Sequence, residues 1–203
     1  MLKVTWLGHS CFLLEAEGFR IVLDPYHDVQ GLKDVHADAD AIYCSHDHFD
    51  HGFTDNIRLS GREENPFAVT EVPTFHDDQG GKLRGNNMVR KFIAGGVSVA
   101  HLGDLGHLLS SEQLQALGHC DAILIPVGGY YTIDAAAAKA VADAIGAPVV
   151  VPMHYRDGNI GFDVLSTLEA FTGLYPAETV KQYGNTIEIT SGMPPQVAVL
   201  KLA

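Results

Sequence analysis

Apolar and polar residues alternate in three short runs at the start of the chain, at residues 3–7, 11–15 and 19–23. A two-residue period is typical of half-buried β-strands. Glycine-containing turn sequences separate the runs, at residues 8–10 and 16–18. We therefore expect an opening meander of strands that ends at Asp24-Pro25.

Further apolar runs predict more strands, at residues 41–44, 67–76, 89–93, 97–101, 122–126, 149–153, 186–189 and 196–202. One helix is predicted to begin near Ser110, where Gln113 completes a capping box. A second is predicted over 132–145, capped by Thr132 and ended by Gly146, and a third over about 162–171. Strands and helices together indicate one α/β domain over residues 1–203, with helices packed on sheets.

Composition narrows the function classes. Thirteen basic and 25 acidic residues give a formal charge of −12. No Lys/Arg cluster interrupts the acidity, so long nucleic acid is not expected as a partner. The apolar runs are too short to cross a membrane, and three cysteines without a CxxC spacing indicate reduced thiols. We expect a cytoplasmic protein.

Residues 45–51, Ser-His-Asp-His-Phe-Asp-His, place four metal-binding side chains within six residues. Residues two apart in an extended chain project the same way, so His46 and His48 can converge on one ion. Asp50 and His51 follow a turn and can face a second ion. The alternative interpretation is a polar, histidine-rich surface loop.

Three more candidates sit just past the ends of predicted strands, where rigid sheets usually position functional loops: His76, Asp104 and His154. His76 would complete the first ion and His154 the second, while Asp104 would bridge both. Each has a structural alternative, as a satisfied polar histidine or a turn aspartate. Zinc is the first expectation from the nitrogen-rich set, with manganese and iron left open by the oxygen ligands.

Two adjacent cations would lower the pKa of a bridging water to roughly 7. The resulting hydroxide would attack a carbonyl or phosphoryl centre, and Asp50 would act catalytically by orienting it. The sequence therefore predicts a dinuclear hydrolase for a small-molecule ester, lactone or phosphoester, and leaves open whether that substrate is anionic. Two alternatives stay open, a phosphodiesterase or nuclease acting on nucleotides and a metal-binding protein without catalysis.

The motif His46-Asp47-His48-Phe49-Asp50-His51 resembles the HxHxDH signature of the metallo-β-lactamase superfamily. Residues 6–12, Asp24-Pro25 and residues 126–129 resemble compact bacterial and archaeal members, which are related to the ascorbate-6-phosphate lactonase group. The resemblance implies a four-layer αββα sandwich, two mixed sheets flanked by helices, with the metals at one edge. It also implies the ligand roles of His76, Asp104 and His154, and leaves a homo-oligomer as an open expectation. A histidine at position 48 differs from the flavodiiron branch, which carries glutamate there.

Four residues are candidates for substrate contacts: His9, Arg84, His107 and Tyr155. His9 lies in the first turn, which the resemblance places beside the metals, and His107 follows Asp104 closely. Arg84 could bind a carboxylate or phosphate. For each, a structural role or a solvated surface position is the alternative.

Overall fold

The computed structural model describes residues 1–202. In chain order its strands are β1 (Leu2–Gly8), β2 (Cys11–Ala16), β3 (Phe19–Leu23), β4 (Ala37–Ala39), β5 (Ala41–Tyr43), β6 (Ile57–Leu59), β7 (Ala68–Phe75), β8 (Asn86–Ala94), β9 (Val97–His101), β10 (Ala122–Pro126), β11 (Val149–Met153), β12 (Val180–Gln182), β13 (Thr186–Ile189) and β14 (Gln196–Val199). The helices are α1 (Ser111–Leu117), α2 (Ala135–Ile145), α3 (Glu169–Thr172) and a 3₁₀ turn, Ala177–Thr179.

The strands form two mixed sheets. The five-stranded sheet has the order β13-β1-β2-β3-β5, and the seven-stranded sheet has the order β12-β14-β11-β10-β9-β8-β7. Within the first, β3 and β5 are parallel and the other pairs are antiparallel. Within the second, β9, β10, β11, β14 and β12 follow one another as parallel neighbours. The strand β8 is antiparallel to both of its neighbours, β7 and β9. The strands β4 and β6 make a separate parallel pair.

These directions bring many strand ends to one place. Because β2 is antiparallel to both β1 and β3, the strands β1, β3 and β5 all run the same way. The same reasoning through β8 aligns β7 with β9, β10 and β11. The carboxyl ends of strands that share a direction meet at one edge of their sheet, which is where loops can combine into a site.

The two faces of the five-stranded sheet serve different cores. Alternate side chains such as Phe12, Leu14 and Ile21 point into the main cluster, which also contains Phe92 and Leu124 of the seven-stranded sheet. This is the interior of the sandwich. The expected two-sheet architecture is confirmed.

The outer layers of the sandwich are built from different elements on the two sides. Both α1 and α2 contact strands of the seven-stranded sheet, β7 and β10 respectively. The outer face of the five-stranded sheet, at Cys11 and Val22, is covered by Tyr26, Val29 and Val35 of the following loop, together with residues of β4 and β6. Loop and short strands take the place of a long helix there.

The structure corrects two helix predictions. Helix α2 begins at Ala135 and not at Thr132, because the Asp134 side chain accepts the Ala137 N–H at 2.8 Å and caps it. The predicted helix over 162–171 is wrong for its first part, since only Glu169–Thr172 is α-helical. The Ser166 N–H instead donates to Gly128 O at 2.8 Å, which ties this segment to the loop after β10.

Within residues 1–202 no helix combines the length and the apolar character that crossing a lipid bilayer requires. Helix α2 has 11 residues, about half of the roughly 20 that such a span requires.

Candidate metal centre

The structure brings the seven predicted ligands together at the shared edge of the two sheets. Ligand nitrogens of His46, His48 and His76 all lie within 4.8 Å of one another. Atoms of Asp50, His51 and His154 form a second group with the same limit, which His9 joins. The sequence predicted this division into two sets.

Asp104 lies between the two sets. Its Oδ1 is 3.1 Å from His51 Nε2, and its Oδ2 is 3.1 Å from His76 Nε2 and 3.3 Å from His154 Nε2. One carboxylate therefore reaches histidines of both sets, as a bridging ligand must. Four ligands about 2.1 Å from a tetrahedral zinc ion are about 3.4 Å apart, so these separations fit coordination of a shared ion.

Unpaired buried atoms are a second test of whether the residues fit metal ions. Ten buried side-chain nitrogen and oxygen atoms in residues 1–202 make no hydrogen bond. Most belong to six residues of this cluster: His9, His46, His51, His76, Asp104 and His154. Leaving such groups unpaired in a protein interior is costly, and buried polar groups are normally satisfied. Metal ions would satisfy this concentration of inward-facing donor atoms.

Metal binding requires neutral imidazoles and ionised carboxylates, and three residues of the cluster, His46, Asp50 and Asp104, are shifted in that direction. Burial, together with His51, lowers the pKa of His46 to about 3. Burial would raise the pKa of Asp104, but His154 and His51 hold it well below its usual range. Burial likewise opposes ionisation of Asp50, and His9 and His51 still lower its pKa. His46, Asp50 and Asp104 are thus in their binding forms near neutral pH. Burial opposes the charged form of His51, but Asp104 and Asp24 raise the pKa of His51 well above its ordinary value, so an ion bound there would have to displace a proton from that ring.

Asp24, at the end of β3, orients ligands of both sets. Its carboxylate accepts the His51 Nδ1–H at 2.8 Å and the Ser45 N–H and O–H at 2.6 Å each. Ser45 Oγ in turn lies 3.0 Å from His46 Nδ1. A carboxylate that holds Nδ1 of a histidine directs Nε2 toward the metal and increases its basicity. Asp24 is 1 % exposed, so this network is shielded from water.

Asn87 positions the bridging carboxylate. Its Oδ1 accepts the Asp104 N–H at 2.9 Å, while its Nδ2 donates to Thr74 Oγ1 and Leu102 O. Gly103 makes this approach feasible, because a Cβ there would lie 2.3 Å from Asn87 Oδ1. The glycine beside Asp104 is therefore a packing requirement of the site.

Backbone strain concentrates at the same edge. His9, Asp24 and His154 have φ values of 51°, 44° and 54°, in the left-handed region that side-chain-bearing residues rarely adopt. Each follows directly or closely on the end of a strand, β1, β3 or β11. Such conformations cost free energy and persist where the surrounding structure fixes them, often at functional sites.

A cleft of about 470 Å³ opens above the two ligand sets. Its floor includes His48, Asp50, His76 and Asp104, so both sets are reached from solvent. Its walls and rim are formed by the remaining lining residues, Asp47, Phe49, Arg84, Tyr131 and Phe162. A small molecule that enters this cleft would meet both ligand sets.

Two of the four candidate substrate contacts lie near the ligands. Arg84 lines the cleft. His9 lies below it, with a side chain that is 0 % exposed and Nε2 3.3 Å from Asp50 Oδ2. Its ring packs against that of His154, with centroids 4.2 Å apart, so His9 supports the ligands and does not reach the cleft.

The other two candidates do not line the cleft. His107 Nε2 accepts the Phe75 N–H at 3.1 Å and its Nδ1–H donates to Leu108 O at 2.7 Å, which occupies both ring nitrogens. Tyr155 is 6 % exposed and packs on Trp6, with ring centroids 5.7 Å apart. The structure therefore gives both residues packing and loop contacts.

Asp24, Asn87 and Asp77 are site residues that the sequence analysis did not single out as functional. Asp77 accepts the backbone N–H groups of residues 79, 81, 83 and 84, and so fixes the loop that carries Arg84. The signal for Asp24 was available, because it too directly follows a predicted strand. Asn87 and Asp77 gave no such signal, since their partners are set by the folded loops.

Comparisons with known proteins agree with this geometry. A family model described as "Beta-lactamase superfamily domain" matches residues 3–154. A protein of Methanosphaerula palustris called UPF0173 metal-dependent hydrolase is 31% identical over 188 residues, covering 76% of this chain and 84% of that protein. A relative of the same name from Archaeoglobus fulgidus is 28% identical, with coverages of 76% and 84%.

A solved structure from Thermotoga maritima is similar along its whole length. It is described as a candidate Zn-dependent hydrolase of the metallo-beta-lactamase superfamily, and it is 36% identical with a TM-score of 0.79 and 100% of both chains covered. The match of the family model over most of the chain, the archaeal relatives and this fold agree with the HxHxDH motif at the centre of the site. The chain belongs to the β-lactamase superfamily.

Proposed function

We propose that the protein is a dinuclear metal-dependent hydrolase of a small anionic ester, lactone or phosphoester. The observation that carries this proposal is the convergence of unpaired, buried histidine and aspartate atoms from both sets on Asp104, below an open cleft. The names of the archaeal relatives, metal-dependent hydrolases, support the reaction class.

In this proposal His46, His48 and His76 hold one ion, and Asp50, His51 and His154 hold the other, with Asp104 shared. Bound divalent ions would supply Lewis acidity and would bring the pKa of a coordinated water to about 7. The nitrogen-rich first set favours zinc, and the carboxylates of the second set also suit manganese or iron.

Asp50 is the proposed catalytic residue. It lies on the cleft floor with its side chain 13 % exposed, so it is reached by water. Its lowered pKa keeps it a carboxylate, which can accept a hydrogen bond from the attacking water and orient it. His9 Nε2, 3.3 Å from Asp50 Oδ2, would hold that carboxylate in place from below.

One observation favours a nucleotide phosphodiester as the second candidate substrate. Aromatic side chains line the cleft, and every nucleobase has a flat face that can stack on such rings. The formal charge of −12 disfavours a long nucleic acid but not a single nucleotide.

The exposed position of His48 on the cleft floor argues against a purely structural metal site, because the ligands of such a site are closed off from solvent.

Reconstitution tests the proposal. Chelated protein should hydrolyse none of a set of esters, lactones and bis-phosphoesters, and adding zinc or manganese should restore hydrolysis with two ions bound per chain. Asp104→Ala should bind fewer ions and remain inactive. Asp121→Asn is the matched control, because Asp121 is also buried and accepts the Ser98 N–H and O–H, but lies at the opposite end of β10.

Full activity in the chelated protein would refute metal dependence. One ion per chain after complete reconstitution would refute the dinuclear site. Two bound ions without hydrolysis of any substrate class would support a non-catalytic metal-binding protein.

A further inference from the structure

Phe49 stands between two proposed metal ligands, His48 and Asp50, and its side chain is exposed to water. The residue is 55% exposed, whereas Phe12, Phe19 and Phe92 of the core are almost fully buried. Single exposed apolar side chains are common on protein surfaces, but one that borders a cleft together with other aromatic rings forms a patch of the kind that marks a ligand-binding groove. Phe49 is therefore a candidate contact for a ligand bound in the cleft.

Phe49 belongs to a row of three rings, here called the aromatic wall: Phe49, Phe162 and Tyr131. The centroids of Phe49 and Phe162 are 6.4 Å apart, and those of Phe162 and Tyr131 are 6.0 Å apart. Their planes meet at 73° and 77°, the edge-to-face arrangement that aromatic pairs favour. All three rings line the cleft above the ligands.

Arg84 adds a cation to the same cleft. Its guanidinium carbon lies 5.7 Å from the centre of the Tyr131 ring, and its Nη2 donates to Tyr130 O at 3.1 Å. Within residues 1–202 no carboxylate pairs with it, unlike Arg58 and Arg90, which bind Asp38 and Glu71. Most of its five donors therefore stay available for a ligand.

The backbone holds Arg84 in this position. The Arg84 N–H and three other backbone N–H groups of the same loop donate to the carboxylate of Asp77. Arg84 also lines a neighbouring cleft of about 520 Å³ that shares Asp47 and His48 with the first. It thus borders both clefts, as does the proposed ligand His48.

We propose that the substrate is an organic anion that carries an aromatic ring, with the ring against the aromatic wall and an anionic group on Arg84. This inference rests on the proposed function, since the reacting group would lie over the ligands between these two contacts. Arginine suits a planar carboxylate or a phosphate, which it can bind through two parallel hydrogen bonds. Phe49, which is 55% exposed, and the partly exposed Phe162 offer the ring surface against which an aromatic group would pack.

Four phosphonates test the two contacts separately on protein reconstituted with zinc: methylphosphonate, cyclohexylphosphonate, phenylphosphonate and 3-carboxyphenylphosphonate. Their dissociation constants are measured by calorimetry, which does not depend on hydrolysis. Phenylphosphonate should bind about tenfold more tightly than methylphosphonate, and clearly more tightly than the cyclohexyl compound. The added carboxylate should increase affinity by about another tenfold.

Variants assign each gain to its residue. Phe49→Ala should remove most of the affinity gained from the ring and keep the affinity gained from the carboxylate. Arg84→Gln should remove the affinity gained from the carboxylate and keep that gained from the ring. Leu59→Ala and Arg58→Gln are the controls, because Leu59 is 54% exposed and Arg58 is an exposed arginine, and both are on β6, outside the cleft. Both controls should retain both gains.

Equal binding of methyl- and phenylphosphonate, or a ring effect that survives in Phe49→Ala, would overturn the aromatic contact. Equal gains from the phenyl and cyclohexyl groups would show a general apolar wall and overturn the preference for a ring. A carboxylate effect that survives in Arg84→Gln would overturn the anionic contact. Each of these results is compatible with metal-dependent hydrolysis, so they are distinguishable from a failure of the proposed function.

Discussion

On the floor of the cleft most functional side chains are buried and held by hydrogen bonds, with His48 as the exposed exception, whereas the side chains at its mouth are exposed or partly exposed. His51 and Asp104 are 0% and 1% exposed, and Asp24 and Asn87 fix them. Phe49 at the mouth is 55% exposed. The two regions lie close together but differ in how exposed their side chains are and in what holds them.

This difference assigns the chemistry to the floor of the cleft and the choice of substrate to its mouth. Preorganised groups in a water-poor floor stabilise charge without having to rearrange, which is the main source of catalytic power in many enzymes. Substrate choice depends on walls and loops that vary on a common fold. Variants of the floor should therefore change metal content and rate together, and variants of the mouth should change substrate affinity alone.

The largest effect is expected for His154→Ala. It removes a nitrogen of the second set that is 0% exposed and 3.3 Å from Asp104. We expect one bound ion per chain in place of two and a loss of hydrolysis of about 10³-fold, given that metal ions supply several kcal/mol of transition-state stabilisation. Elemental analysis and kcat/KM measure the two effects. His119→Ala, which alters an exposed histidine, should leave both unchanged.

Asp24→Asn should have the next largest effect. The amide cannot accept all of the bonds from Ser45 and His51, and it loses the negative charge beside the His51 ring. A loss of about 10- to 100-fold in metal affinity or activity is typical when an orienting carboxylate of this kind is removed. Competition with a chelator measures the affinity. Asp121→Asn removes the same pair of serine bonds elsewhere, and equal losses in both variants would contradict a specific role for Asp24.

Asp77→Ala tests the mouth. The loop that carries Arg84 would lose the acceptor of four backbone N–H groups, and the guanidinium would no longer be held beside Tyr131. We expect KM for an anionic substrate to rise by about tenfold, the value of one charge-assisted hydrogen bond, with metal content unchanged. Steady-state kinetics and elemental analysis distinguish this result from damage to the floor, which would lower both.

The smallest effect is expected for Ser110→Ala. Ser110 caps α1 and forms a reciprocal capping box with Gln113, away from the cleft. Its loss should lower the free energy of unfolding by about 1 kcal/mol. Thermal unfolding measures this, and kcat/KM and metal content should stay at wild-type values. A fall in metal affinity here would show that the floor responds to general destabilisation, and would weaken the distinction between the two regions.

Much of the architecture could be predicted from periodicity. The strands at 19–23, 122–126 and 149–153 coincide with β3, β10 and β11. The start of α2 and the segment before α3 could not be predicted in this way, because their boundaries depend on the hydrogen-bonding partners that are present only in the folded chain. The Asp134 side chain caps the helix in the folded chain, and the Ser166 N–H donates to Gly128 O in the loop after β10.

The site shows the same division. The HxHxDH segment indicates two ligand pairs by spacing alone, and the rule that ligands follow strand ends leads to His76, Asp104 and His154. It does not reveal that Asp77 orders the Arg84 loop or that Asn87 holds Asp104, since those contacts join elements that are distant from the motif. From the sequence, three further residues were expected near the substrate, His9, His107 and Tyr155, whereas the cleft reaches none of their side chains.

The amino-acid sequence by itself determined the chemistry of the candidate ligands, their grouping and the strands that carry them, because these follow from residue type and local spacing. Only the tertiary structure decided which side chains face the cleft and which are buried supports. That choice depends on how two sheets pack at one edge, where residues far apart in the chain compete for the same few ångströms of space.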